Sequence, residues 1–179
     1  HGHMEQVGYD TYCRLLDEVV KEIQGIEVKE EQDIQIDIDV SSYIPDSFID
    51  NNSQKIEIYQ NIALCRTEED IQNVIDEIID RYGHMPSELE NLIEIARIKN
   101  LCRVDNVIKI SQRKEKVVFY FDKAKFNPEI VDKLIKKYNT NIRFSTGIEP
   151  YVTVTIGSKI IEEIKEFLTY IQNCTTSSM

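Results

Sequence analysis

The chain has no tryptophan, only 6 glycines, 4 prolines and 3 histidines, and no long apolar run. Each scarcity excludes something. Phosphate cradles need glycine for close backbone approach, and neither G-x-G-x-x-G nor G-x-x-x-x-G-K-[ST] is present. H-E-x-x-H and G-x-S-x-G are missing too, which removes the familiar zinc-protease and serine-hydrolase signatures. Nothing is low-complexity, so extended disorder is expected only at the ends. No stretch approaches the length of a membrane span and no signal peptide is visible. The four cysteines, Cys13, Cys65, Cys102 and Cys174, are too far apart for a C-x-x-C knuckle. They read as reduced, mostly buried thiols in a cytoplasmic setting.

What is present suits one globular domain with a core of its own: 179 residues, 41% apolar and 30% charged. The net charge of −11 is uneven. Residues 1–90 hold 6 Lys and Arg against 22 Asp and Glu, a net of −16, whereas residues 91–179 hold 15 against 10, a net of +5. The first half therefore repels phosphate backbones. The second half offers a modest basic patch between Lys109 and Lys125, which otherwise reads as a mixed solvated face. An acidic half beside a basic half also fits docking to a charged protein partner.

Periodicity predicts the elements. Tyr12, Leu15, Leu16, Val19, Val20 and Ile23 share a helical face over 10–23. Ile34, Ile36, Ile38 and Val40 alternate with Gln35, Asp37 and Asp39, which predicts a strand with one wet side. Pro45 ends that run. Tyr43, Ile44, Phe48 and Ile49 then form an apolar knot that is either a wedge or a docking surface. A helix follows over 53–65, with Ile56, Tyr59, Ile62 and Ala63 inward. Thr67 and Asp70 are spaced as a capping box for a helix ending at Gly83, with Ile71, Val74, Ile75, Ile78, Ile79 and Tyr82 on its apolar face. Ser87 is placed to cap a third helix reaching about Val104, apolar on more than one side.

From 106 onward the pattern is β-β-α-β-β-α. A hairpin turns at Gln112-Arg113-Lys114-Glu115, Asn127 and Pro128 open a helix carrying Ile130, Val131, Leu134, Ile135 and Tyr138, and Ser158 is placed to cap the last helix. The fold class is α+β: an N-terminal strand plus helices, then a small antiparallel or mixed sheet covered by helices.

Candidate chemistry is thin. His84 lies in a helix–helix turn and would need Cys65 or Cys102 and an acid beside it to act as a catalytic base. Asp76, Glu77 and Asp80 read as a solvated acidic face that can present carboxylates to a partner's arginines. Asp37 and Asp39 lack metal-loop spacing. No catalytic, metal or cofactor residue is assigned.

One ordered set of motifs adds to this reading. Gly2-His3-Met4, Val7-Gly8-Tyr9, Tyr12 with Leu15-Leu16, Tyr43-Ile44-Pro45, Gln54-Lys55 with Tyr59, and Asp80-Arg81-Tyr82-Gly83 with Pro86 follow one another. In that order they resemble the C-terminal domain of the bacterial transcription-repair coupling factor family. His84 departs from it, since the family often has proline there. The resemblance covers residues 2 to about 104.

It implies a segment at 1–24 joining an upstream translocase motor, a C-terminal α+β domain over 25–174 and a frayed tail at 175–179. It further implies a non-catalytic, autoinhibitory domain with no cofactor of its own, inside a parent that uses ATP and Mg. That parent translocates on double-stranded DNA, displaces stalled RNA polymerase and recruits excision repair through UvrA. The domain would pack on the N-terminal UvrB-like module and mask the UvrA-binding surface. Tyr43, Ile44, Lys55, Tyr59 and Arg81 are the candidate interdomain contacts, although each can equally serve local structure. Two alternatives stay open: a direct DNA-binding domain using Arg113, Lys114 and Lys116, and a small unrecognised hydrolase.

Overall fold

The computed structural model describes residues 33–145 and 147–176; the expected first helix, the 1–24 junction and Cys13 lie outside the described residues. The described chain is α+β, as expected. It divides into two compact units, here called the helical unit (residues 40–97) and the sheet unit (residues 34–39 with 98–176). Among the described residues no helix is long and apolar enough to cross a membrane.

Three helices build the helical unit: α1 (Asn52–Ala63), α2 (Glu68–Tyr82) and the first part of α3 (Ser87–Asp105). The Asn51 side chain accepts from the Gln54 amide, so α1 starts one residue earlier than periodicity suggested. Its inward face is Ile58 and Ile62, while Ile56 is 45% exposed, which corrects the expected phase. The capping box of α2 forms as predicted: the Asp70 amide donates to Thr67 Oγ1 (3.1 Å), and the Thr67 amide donates to Asp70 Oδ2 (3.1 Å).

Ile71 and Ile78 of α2 are buried, but Ile79 is 47% exposed, because the apolar stripe is narrower than its six members implied. Gly83 closes the helix at φ +90°, a backbone state that side-chain-bearing residues rarely adopt. Ser87 does not cap α3. The helix begins at Ser87 itself, and the amides of Leu89 and Glu90 both donate to the Pro86 carbonyl (3.1 Å each). The apolar knot is a wedge: Ile44 and Ile49 join Ile58, Ile62, Ile71, Ile78, Leu89, Leu92 and Ile93 in one core, with Phe48 packed against it.

The sheet unit has five strands in the order β1-β2-β3-β5-β4. They are β1 (Gln35–Asp37), β2 (Val107–Arg113), β3 (Lys116–Phe121), β4 (Ile142–Ser145) and β5 (Tyr151–Thr155). Helices α4 (Ile130–Tyr138) and α5 (Ile160–Thr176) complete it, and α5 continues two residues into the expected tail. All pairings are antiparallel except β1, which joins β2 in parallel.

The β1 alternation is as predicted, with Ile34, Ile36 and Ile38 buried and Gln35, Asp37 and Asp39 exposed. The β2–β3 loop is shorter than the four residues expected. Only Lys114 and Glu115 lie outside the strands, and Lys114 takes φ +58° where glycine or asparagine is favoured. Asn127 opens the turn before α4, its side chain accepting from the Glu129 amide (3.0 Å), though the α-helix proper starts at Ile130. Ile130 and Leu134 are buried, while Ile135 is 45% exposed.

One sheet face carries Ile36, Ile110, Phe119 and Val152 in register and is buried. Phe119 stacks on Phe167 of α5 with ring centroids 4.1 Å apart. Asn106, at φ +60°, ends α3 and accepts from the Asp122 amide, which leads the chain into β2.

Candidate functional site

The segment after β1 has little regular structure, so its backbone groups need partners. The helical unit supplies them. The Asn91 side-chain Nδ2 donates to the Ser41 carbonyl (2.9 Å), the Tyr43 backbone amide to the Glu88 carbonyl (3.2 Å), and the Ile44 backbone amide to the Tyr59 hydroxyl (3.0 Å). Pro45 then accepts from the amides of Phe48 (3.0 Å) and Ile49 (3.1 Å), closing a turn. Tyr43 and Tyr59 are therefore half-buried pins of this segment. Ile44, 2% exposed, supports the surface from beneath and is not part of it, because its side chain fills the core.

The charged candidates gather over the same segment. Lys55 of α1 pairs with Asp46. Arg81 of α2 lies 3.3 Å from both Glu57 of α1 and Glu77 of its own helix. Its guanidinium also sits over the Tyr82 ring, 5.1 Å from the centroid, and Tyr82 meets Phe48 at 6.0 Å. A second tie escaped sequence reading: Arg97 of α3 pairs with Glu68 at the start of α2 (2.9 Å) and with Glu94. No local signal announces it, since 29 residues separate the partners.

The result is an acidic surface crossed by a few cations, each shared between elements. Around it, Asp76, Glu77 and Asp80 are all exposed, with Asp76 accepting from Gln72 (2.9 Å). Hydrogen bonds from the Arg66 and Thr67 amides hold the Asp70 carboxyl below the usual carboxylate range.

The hydrolase constellation does not assemble. His84 is exposed in the turn after Gly83. Cys65 is buried with its thiol toward the Asn61 carbonyl (3.2 Å), and burial pushes it up to about 11. Cys102 is fully buried and is likewise pushed up by burial. Neither supplies a thiolate near neutral pH. Among the described residues no three metal-ligating side chains come together.

In the sheet unit, Arg113 and Lys116 face each other across the β2–β3 hairpin, with Lys114 in the loop between them. All three are exposed. Sequence reading missed three companions on that sheet face, Tyr120, Tyr151 and Arg143; strand alternation held the signal, but the strand order that brings them together is not local.

A family model described as the TRCF domain matches residues 38–130. The transcription-repair-coupling factor of Bacillus subtilis is 36% identical over 118 residues, covering 65% of this chain and 10% of that protein. The Staphylococcus epidermidis protein of the same name is 39% identical over 101 residues, 55% of this chain and 9% of its own length. This chain thus spans about a tenth of the curated relatives it matches. In fold it is similar to a crystal structure of the C-terminal domain of transcription-repair coupling factor, with a TM-score of 0.70 at 21% identity over 82% of this chain and 96% of that one. With the family model matching just over half of its residues, the chain belongs to the TRCF domain family.

Proposed function

We propose that this chain is a non-catalytic regulatory domain of a transcription-repair coupling factor. In this reading it lies against the N-terminal UvrB-like module of its own protein and masks the surface that UvrA binds. The parent, acting in the cytoplasm, would be an ATP-driven DNA translocase that displaces stalled RNA polymerase and recruits excision repair, with its motor outside this chain.

The observation that supports the reading is the charged surface of the helical unit. Residues 40–97 hold 4 Lys and Arg against 12 Asp and Glu, a net of −8. The cations Lys55, half-buried, and Arg81, exposed, bridge acids on neighbouring elements, and the acids themselves face solvent. A releasable clamp needs such a surface: individually weak, salt-screened polar contacts that sum to a few kcal/mol, so that the open form stays rare but reachable. A wholly apolar interface would not open, and a surface without charge would not select its partner.

The test is binding in trans between this chain and the N-terminal module, followed across a salt series. Weak association that falls as salt rises, and that weakens further with Arg81→Glu, is the expected outcome. In the full-length protein, deleting this domain should raise UvrA affinity. No association at any salt, with UvrA affinity unchanged by the deletion, removes the reading.

A further inference from the structure

The sheet unit has two unlike faces. On one, Ile36, Ile110, Phe119 and Val152 are buried, and Phe119 stacks on Phe167. The other face is read off the same register. Lys109, Tyr120 and Tyr151 lie side by side in one row, Arg143 pairs with Thr153 in the next, and Arg113 and Lys116 pair in a third. The rim of this face is open and its centre is filled. Arg113, Lys116, Arg143 and Thr155 are exposed, Tyr151 is 38% exposed, and Lys109, Tyr120 and Thr153 are half-buried, while Ser111 and Val118 in the middle row are buried.

Its chemistry is lopsided. Four cations share the face with a single carboxylate in register, Asp37 on the β1 edge. None of the four takes part in an ion pair among the described residues. Arg113 and Lys116 are like charges directly opposite one another, an arrangement that weakens a strand pair unless something negative sits over it. The two tyrosine rings are neighbours, 5.6 Å between centroids and tilted by 44°. The Lys109 ammonium lies 5.5 Å from the Tyr120 centroid, which puts a cation at the edge of an aromatic pair.

We propose that this open face binds single-stranded nucleic acid, with Tyr151 and Tyr120 stacking on bases and Lys109, Arg113, Lys116 and Arg143 pairing with phosphates. Cations alone would suit any polyanion, including an acidic protein segment. The adjacent flat rings are what favour a nucleic acid, because an acidic peptide has no bases to lay on them. A duplex fits less well, since its bases are stacked inside and offer no ring face. The acidic β1 edge repels a phosphate chain, so the strand would run over β2, β3, β5 and β4. This surface lies in the sheet unit and the proposed clamp in the helical unit, so failure of one leaves the other standing.

The experiment is fluorescence anisotropy of this chain at low salt with labelled oligothymidylate, oligouridylate and a hairpin duplex of equal length. Both single strands should bind more tightly than the duplex, and the tighter of the two names the source as DNA or RNA. Tyr151→Ala should weaken single-strand binding by roughly fivefold to a hundredfold, while Tyr151→Phe retains it. Pairing Lys116→Ala with Arg143→Ala should flatten the salt dependence by about 0.7 log units per cation removed. Lys136→Ala, on α4, should change little. Each substituted residue is exposed, so circular dichroism should match the parent chain.

Three results would each overturn the proposal. One is no binding to any oligonucleotide. Another is equal loss with Lys136→Ala, the mark of diffuse charge. The third is unaltered affinity in Tyr151→Ala with the duplex bound as tightly as the strands. Polyglutamate captured through the same cations while oligonucleotides are ignored would assign the face to an acidic protein instead.

Discussion

The helical unit and the sheet unit treat an aspartate at a helix end in opposite ways. In the helical unit, Asp70 sits at the start of α2, where two backbone amides and the positive end of the helix favour its charged form. In the sheet unit, Asp105 is the last residue of α3 and only 8% exposed. Burial pushes its carboxyl up to about 8, with the Gln172 side chain pulling the other way, and its Oδ2 has no hydrogen-bond partner. The negative end of the helix disfavours ionisation there as well.

The contrast extends to the units as wholes. Residues 40–97 carry a net charge of −8, and Lys55, Arg81 and Arg97 are engaged with acids on neighbouring elements. Residues 34–39 with 98–179 carry 14 Lys and Arg against 11 Asp and Glu, a net of +3, with cations on an open sheet. Similar side-chain types thus lace one unit together and leave the other with an unanswered face. Salt should act mainly on the first and alkaline pH mainly on the second.

The largest expected effect probes the aromatic stack of the sheet unit. Phe119→Ala removes a fully buried ring from Phe167 and should cost about 3–5 kcal/mol in urea unfolding. Arg81→Ala, which cuts an exposed tie of the helical unit, should cost less than about 1 kcal/mol. Comparable losses from the two would break the contrast.

Asp105→Asn comes next and sharpens it. Because the folded carboxyl holds its proton more tightly than the unfolded one, its contribution is full below about pH 4 and is lost progressively as pH rises through about 8. The amide has nothing to ionise, so the variant should gain several kcal/mol, at most about 5, at pH 8 and almost nothing at pH 4. Asp70 has the reverse sign. Its stabilisation is present above its unfolded value of about 3.9 and is lost as pH falls through the lowered folded value. Asp70→Asn should therefore flatten the acid limb of stability, as read by circular dichroism between acid and neutral pH.

Smaller effects come from single backbone positions. Thr67→Ala removes a side-chain cap and should cost about 1 kcal/mol. Lys114→Gly relieves a positive φ at the hairpin and should raise the free energy of unfolding in urea titration by less than about 1 kcal/mol. A loss of stability there would mean that the Lys114 side chain contributes more than its backbone strain removes.

Much of this molecule is readable without coordinates because its rules are local. The Thr67–Asp70 box spans three residues, Gly83 marks the end of α2, and the alternation from Ile34 to Ile38 requires one buried face. The misses came where periodicity leaves more apolar positions than a helix can bury. Ile56, Ile79 and Ile135 fit their helical patterns yet lie exposed, because the width of the facing surface sets which of them go in.

The candidate site was half legible. Lys55, Tyr59 and Arg81 came from motif order, but their partners Asp46, Ile44 and Glu57 had to be seen, since side chains from different elements meet only after packing. Chain chemistry alone settles the α+β class, the Thr67–Asp70 capping box, the lack of the common glycine-rich phosphate motifs and the division of charge, because each depends on near neighbours or simple totals. Folding in three dimensions chose β2 as the parallel neighbour of β1, more than sixty residues away, and left one face of the sheet open with its tyrosines and cations side by side. Alternation says which residues share a side of a strand; only long-range pairing says which strands lie beside it.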